Sequence, residues 1–269
     1  MKVLRQFITF LKDIWKDKHV LWGLAKNDFK ARFAASFLGG AWCFIQPLVT
    51  LLVFWFVFQA GFKNPPVSGV PFIVWLTPAF LAWSFFSETL TSGTNCLIEY
   101  SYLVKKVNFR VSMLPLVKIV SSMFIHAAFI LFIFFLLFCN KVAFSIYNIQ
   151  VLYYWLCTCF LLCGLCWLLA AMAPFVKDVV NIVGVFVQIG FWITPIFWTP
   201  DNMSPMVQNV LKLNPMFYIC RGYRDAFIDH VWFWQRGYTN LFFWVVSILC
   251  FVAGASLFHK LRPQFADVL

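Results

Sequence analysis

Residues 119–139 read IVSSMFIHAAFILFIFFLLFC, a run without Asp, Glu, Lys or Arg. At about 1.5 Å per residue, a helix of this length crosses a hydrocarbon core of roughly 30 Å. A soluble core helix rarely runs so far without a charged face. Five further charge-free runs share the property: 41–60, 70–87, 151–176, 179–200 and 241–258. The chain therefore reads as an all-α membrane protein with six transmembrane helices. Composition agrees: 62% hydrophobic, 12% charged and 35 Phe leave little material for a soluble domain, so 1–269 is one transmembrane domain.

Lys and Arg near span ends are retained in the cytoplasm. With the N-terminus inside, fifteen of the 21 basic residues fall on the inner side. The other six are Lys63, Lys141, Lys212, Arg221, Arg224 and Arg236. Both termini are thus expected in the cytoplasm. The net charge of +11 is explained by topology and by anionic inner-leaflet lipid, and nucleic acid is not expected as a partner.

Nine cysteines do not mark a disulfide scaffold, because most lie within the runs, where Cys acts as a small apolar residue. The spacing of Cys157, Cys159, Cys163 and Cys166 permits a metal, but no carboxylate or His accompanies them, so they read as a packing surface; no metal or cofactor is expected. The first 40 residues lack the apolar core of a cleavable signal. Within them Leu4, Phe7, Ile8, Leu11, Ile14 and Trp15 repeat at helical spacing, which describes an amphipathic interface helix within the inner segment 1–38.

Two connections are more than loops. The inner segment 94–110 is basic, with Lys105, Lys106 and Arg110, yet carries Ile98, Tyr102, Leu103, Val107 and Phe109. That surface either docks a cytoplasmic partner or lies on membrane and neighbouring helices. The outer segment 201–238 holds two apolar pieces too short to span, divided by Asn214-Pro215. They suit a short re-entrant helical hairpin before the last span, with a surface-lying hairpin as the alternative. Arg224 embedded there needs a partner, and Asp225 and Asp229 are the nearest acids, whereas Arg236 falls in the wetter connection. Within or beside the spans the ionisable residues are Glu88 and His126.

Four blocks in order resemble the membrane subunits of type-2 ABC exporters, specifically those for lipid-linked polysaccharide such as O-antigen, capsule or teichoic acid. LAKNDFKARFAASFLGGAWCFIQPLVTLLVFWFVF (24–58) is similar to the family's interface helix, small-residue turn and first span, with Asp28, Lys30 and Arg32 in the expected places. GVPFIVWLTPAFLAWSFFSETLTSG (69–93) resembles its second span. LVKKVNFRVSMLPL (103–116) looks like the coupling loop, except that Arg110 stands where the family has proline. TPIFWTPDNMSPMVQNVLKLNPMFYICRGYRDAFI (194–228) resembles the end of span five and two gate helices, with Asn214, Pro215, Tyr223 and Arg224 at the characteristic sites.

The resemblance implies the ABC-2 exporter fold, residence in a bacterial cytoplasmic membrane, and a homodimer bound to two copies of a separate ABC ATPase. None of the 12 glycines opens a G-x-x-x-x-G-K-[ST] loop, so ATP hydrolysis belongs to the partner and this chain is a transport subunit rather than an enzyme. Coupling to the ATPase then falls to Tyr102, Leu103, Lys105, Lys106, Val107, Phe109 and Arg110. A lipid-linked glycan needs a conduit whose aromatic faces meet pyranose C–H groups. Trp42, Trp55, Trp75, Trp83, Trp192, Phe197 and Trp198 are the expected lining. Export of a drug or other lipid is the alternative within the class. A membrane transferase would need clustered acids or His, and a secondary transporter would need an internal repeat; neither pattern is evident.

Overall fold

The computed structural model describes residues 17–32, 39–63, 65–106, 109–201 and 203–269. Among them every regular element is helical, apart from one isolated antiparallel bridge between Val67 and Val70. In chain order, α1 is Lys18–Ala31, α2 Trp42–Phe54, α3 Phe72–Glu99, α4 Ser101–Val104, α5 Leu114–Cys139 and α6 Gln150–Met172. They are followed by α7 Asp178–Ile193, α8 Pro205–Leu211, α9 Pro215–Arg224, α10 Gly237–Leu261 and α11 Phe265–Val268. Two helices continue as π-helix: α2 over Trp55–Gly61 and α9 over Asp225–Asp229.

Five of the apolar runs become helices long and apolar enough to cross a membrane: Gly39–Gly61, Phe72–Glu99, Val111–Cys139, Ile146–Met172 and Phe233–Val268. The sixth run differs from expectation. It is helical over the 16 residues of α7 alone, about 24 Å against a hydrocarbon thickness of roughly 30 Å. Thr194 turns extended, with ψ at 130°, because Pro195 disfavours a helical residue before it.

Charge does not end the helices where the sequence places their ends. α3 continues past Glu88 to Glu99, so the first part of 94–110 is helix rather than loop. α5 begins ahead of Lys118 and takes that residue inside. The expected helix around Leu4–Trp15 lies outside the described residues, as does Val107.

α3 is the central element and packs on α5, α6, α7 and α9. Its sequence is apolar almost all round over the first half, and Trp75, Leu76, Leu81 and Trp83 are buried there, as a core helix requires. The two-residue turn before it, Ser68-Gly69, has positive φ at both positions, 52° and 76°, and closes the Val67–Val70 bridge. α6 and α10 form the most extensive pair. A Cβ on Gly254 would strike the Gly164 carbonyl oxygen, and one on Gly164 would strike the backbone of Cys250 and Phe251. Glycine at both positions lets the backbones touch, the usual route to helix association without a hydrophobic drive. α1 lies against α5, with the Trp22 and Phe29 rings edge-on to Phe124 at 5.1 and 5.9 Å.

Candidate functional site

The bundle is fastened by polar junctions at both ends of α3. At the end that holds α1, the Asp28 carboxylate accepts from Lys118 Nζ at 2.5 Å, from the Tyr100 hydroxyl at 2.6 Å and from Arg32 Nε at 3.1 Å. Arg32 also donates to Glu88 Oε1 at 2.8 Å and to Ser122 Oγ at 3.4 Å. Lys118 reaches Glu99 Oε1 at 2.8 Å and lies over the Tyr100 ring. Asp28 and Lys118 are each 2% exposed. A buried ion pair persists only when its remaining donors and acceptors are met, and here α1, α3 and α5 each contribute.

Burial alone would raise the Asp28 carboxyl, but the hydrogen bonds from Lys118 and Tyr100 and the charge of Arg32 hold it below the ordinary carboxylate range. Burial, and then the bond to Asp28, push the Tyr100 phenol well up. The network is therefore charged on both sides and fixes α1 to the bundle. Of the expected interface residues, Asp28 and Arg32 sit in it, while Lys30 is exposed.

The segment after α3 projects from the same end. Tyr102, Lys105 and Lys106 are exposed, Leu103 and Phe109 half-buried against the core. Arg110 NH1 meets Asp17 Oδ2 at 2.9 Å, so the segment is tied to the residue that precedes α1.

At the opposite end, α9 is almost wholly buried while α8 exposes Met206, Val207 and Val210. Asn214 caps α9, its side chain accepting from Met216 N at 2.9 Å, with Pro215 as the first helical residue. Asn214 Nδ2 donates to Thr194 Oγ1 at 2.8 Å, so the same residue fastens α9 to the unwound end of α7. Tyr223 is fully buried, its hydroxyl 2.7 Å from His126 Nε2 on α5.

Arg224 departs from expectation. Neither Asp225 nor Asp229 binds it. Its Nε donates to Trp75 O at 3.3 Å, one terminal nitrogen to Pro195 O at 2.7 Å, and the other to Ile196 O. The guanidinium carbon stands 3.5 Å above the centroid of Trp75. Asp225 instead pairs with Arg236 through both oxygens, at 2.9 and 2.7 Å. Arg236 is thus no solvent-borne charge: it neutralises a fully buried carboxylate. A cavity of about 280 Å³ beside these groups is lined by Ser68, Trp75, Pro195, Arg221, Arg224 and Asp229, among others.

The seven expected lining aromatics divide. Trp75 and Trp83 are buried within the chain, the first under Arg224 and the second against Gly190 and Phe191. Trp42, Trp55 and Trp192 are exposed. Phe197 is half-buried among Phe54, Phe58 and Phe191, and half-buried Trp198 donates to Trp192 O at 3.3 Å.

Lys118, Glu99 and Tyr100, which the sequence does not single out, hold the junction. The signal was present. Lys118 follows Pro115, a residue suited to a helix's first turn, by three positions, which places it inside α5 rather than before it.

These observations define a helical protein with several helices long and apolar enough to cross a membrane, fastened to α1 at one end and to the buried α9 at the other. Residues 19–228 match the family model described as ABC-2 type transporter, and the chain belongs to that family. It is similar to the O-antigen export system permease protein RfbA of Klebsiella pneumoniae, 22% identical over 255 residues that cover 91% of this chain and 93% of the relative. It is also similar to the protein of the same name from Myxococcus xanthus, 23% identical over 264 residues covering 97% and 99%. The family makes the chain a transport subunit of the membrane.

Proposed function

We propose that this chain is the transmembrane subunit of an ATP-driven exporter that moves lipid-linked polysaccharide across the bacterial cytoplasmic membrane. The observation that carries the reading is similarity over nearly the full length to permeases named for O-antigen export. Two copies of the chain, with two copies of a separate ABC ATPase, form the working unit. The α1 end faces the cytoplasm together with both termini, in keeping with the distribution of Lys and Arg. α7 completes a sixth crossing with the unwound stretch 194–200.

The ATPase docks on Tyr102, Leu103, Lys105, Lys106, Val107, Phe109 and Arg110. Its closure moves α1 and the inner ends of α3 and α5 as one body through the Asp28–Lys118 junction. α8 and α9 form a re-entrant gate, held by Asn214, Pro215, Tyr223 and Arg224. Exposed Trp42, Trp55 and Trp192 line the conduit, with Phe197 and Trp198 at its outer rim; Trp75 and Trp83 act as supports beneath it.

Deleting the gene from its host tests the reading. Lipid-linked polymer should accumulate in the inner leaflet and disappear from the cell surface, and the intact gene should restore it. Unchanged surface polymer defeats the proposal.

A further inference from the structure

The inner half of α3 carries a stripe that the scheme above leaves unused. Ser87, Glu88, Thr91, Ser92, Asn95 and Glu99 recur three and four residues apart and stand above one another on one face. They line a groove of about 580 Å³ with Arg32 and Lys118, and Val180 and Val187 of α7 form the facing wall. Such a stripe on a helix of spanning length does not suit acyl chains, which offer polar groups no partner. It belongs against water or a polar cargo.

The chemistry of the wall is lopsided. Ser87 donates its proton to Ser84 O at 3.1 Å, Thr91 to Ser87 O at 2.9 Å and Ser92 to Thr89 O at 3.3 Å. With their protons turned into the helix, these hydroxyls offer the groove lone pairs. The Asn95 amide makes no hydrogen bond among the described residues and offers both donor and acceptor. The two cations on the wall, Arg32 and Lys118, are already held by Asp28, Glu88 and Glu99. The surface is therefore rich in acceptors, and among the described residues that line it both cations are paired. Sugar hydroxyls can donate to it; a carboxylate or phosphate brings only further acceptors and like charge.

We propose that this groove contacts the sugar units of the cargo and selects uncharged glycans over acidic ones. The inference rests on the export reading and narrows it to polymers without a uronate or phosphate in each repeat.

The complex with its ATPase, reconstituted in vesicles, supplies the test. It is offered a polyprenyl-linked glycan of neutral hexose repeats, or the same chain with one uronate per repeat. The neutral chain should be exported faster by about tenfold, the ratio that corresponds to one modest charge repulsion. Asn95→Arg, on the open face, should bring the two rates together. In the same complex, alkylation of Thr91→Cys, followed by mass spectrometry of that peptide, should slow when the neutral glycan is bound. Equal export of both glycans by the wild type overturns the selection, and unprotected Thr91→Cys during export overturns the contact face; both leave the export reading standing. Export of neither glycan despite ATP hydrolysis overturns the export reading and this inference together.

Discussion

His126 Nε2 and the Tyr223 hydroxyl lie 2.7 Å apart in a fully buried contact, the one side-chain hydrogen bond among the described residues that joins α5 directly to α9. α5 carries Lys118 at its start and His126 two turns further on, so the helix fastened to α1 at one end also holds α9 through Tyr223. If the two junctions are coupled, this bond is where the coupling would be read.

Tyr223→Phe removes the hydroxyl and leaves a buried imidazole nitrogen unmet. The loss is worth about 1–3 kcal/mol. The variant should insert and bind the ATPase, melt at lower temperature in detergent, and show weaker linkage between ATP hydrolysis and export. An unchanged melting curve together with normal export removes the bond from the mechanism.

Arg224→Ala withdraws one cation from three backbone carbonyls and from the Trp75 ring, and should loosen the hairpin enough to admit small solutes in a liposome leak assay. Arg224→Lys should not restore closure, because an ammonium lacks the planar fork that reaches Trp75, Pro195 and Ile196 at once. Arg236→Ala, which the sequence reads as harmless, should destabilise the fold by about 3–5 kcal/mol, since it strands the Asp225 carboxylate. Leak from Arg224→Ala equal to that of wild type removes the gate role from the hairpin.

Acid should undock α1. The Asp28 carboxyl is held below its ordinary range, so its stabilisation is complete above the unfolded value, near 3.9, and is lost as pH falls through the lower folded value. Trp22, edge-on to Phe124, reports the change in fluorescence. Asp28→Asn should lower stability at neutral pH and abolish this acid transition; a variant that keeps the transition assigns it to another group.

Lys105→Glu combined with Lys106→Glu reverses charge on the exposed segment after α4 without touching the core. Membrane insertion should be normal, while binding of the ATPase and stimulated hydrolysis fall by at least about tenfold, the effect expected if like charge replaces complementary charge. Normal complex formation would place the docking surface elsewhere.

Single cysteines test the orientation. In a background without native cysteines, one at Lys63 should react with a membrane-impermeant thiol reagent added to intact cells, and ones at Lys106 and Lys177 should not. Labelling at Lys106 reverses the topology.

Spans were legible because lipid imposes one rule on every residue of a helix, so runs such as 119–139 announce themselves. Their ends are not, because a charged residue in this chain does not by itself mark the end of a helix. Glu88, Glu99 and Lys118 continue helices since each finds its counter-ion on another element, and such pairing is invisible along one sequence. The shortness of α7 was legible in Pro195, whose effect on Thr194 is local. Asn214 and Arg224 both reach the stretch 194–196 while Tyr223 turns to His126, and the acceptors of Arg224 are backbone carbonyls, which no residue pattern advertises. The aromatic set failed to separate for a similar reason: Trp83 and Trp192 look alike until helix faces are known.

The contact of Gly164 with Gly254 bears on how the chain is made. α10 follows α6, α7 and the hairpin in the chain, so Gly164 is synthesised well before the Gly254 it packs against. A nascent chain halted before Gly254 would therefore carry the α6 half of this seam without its match.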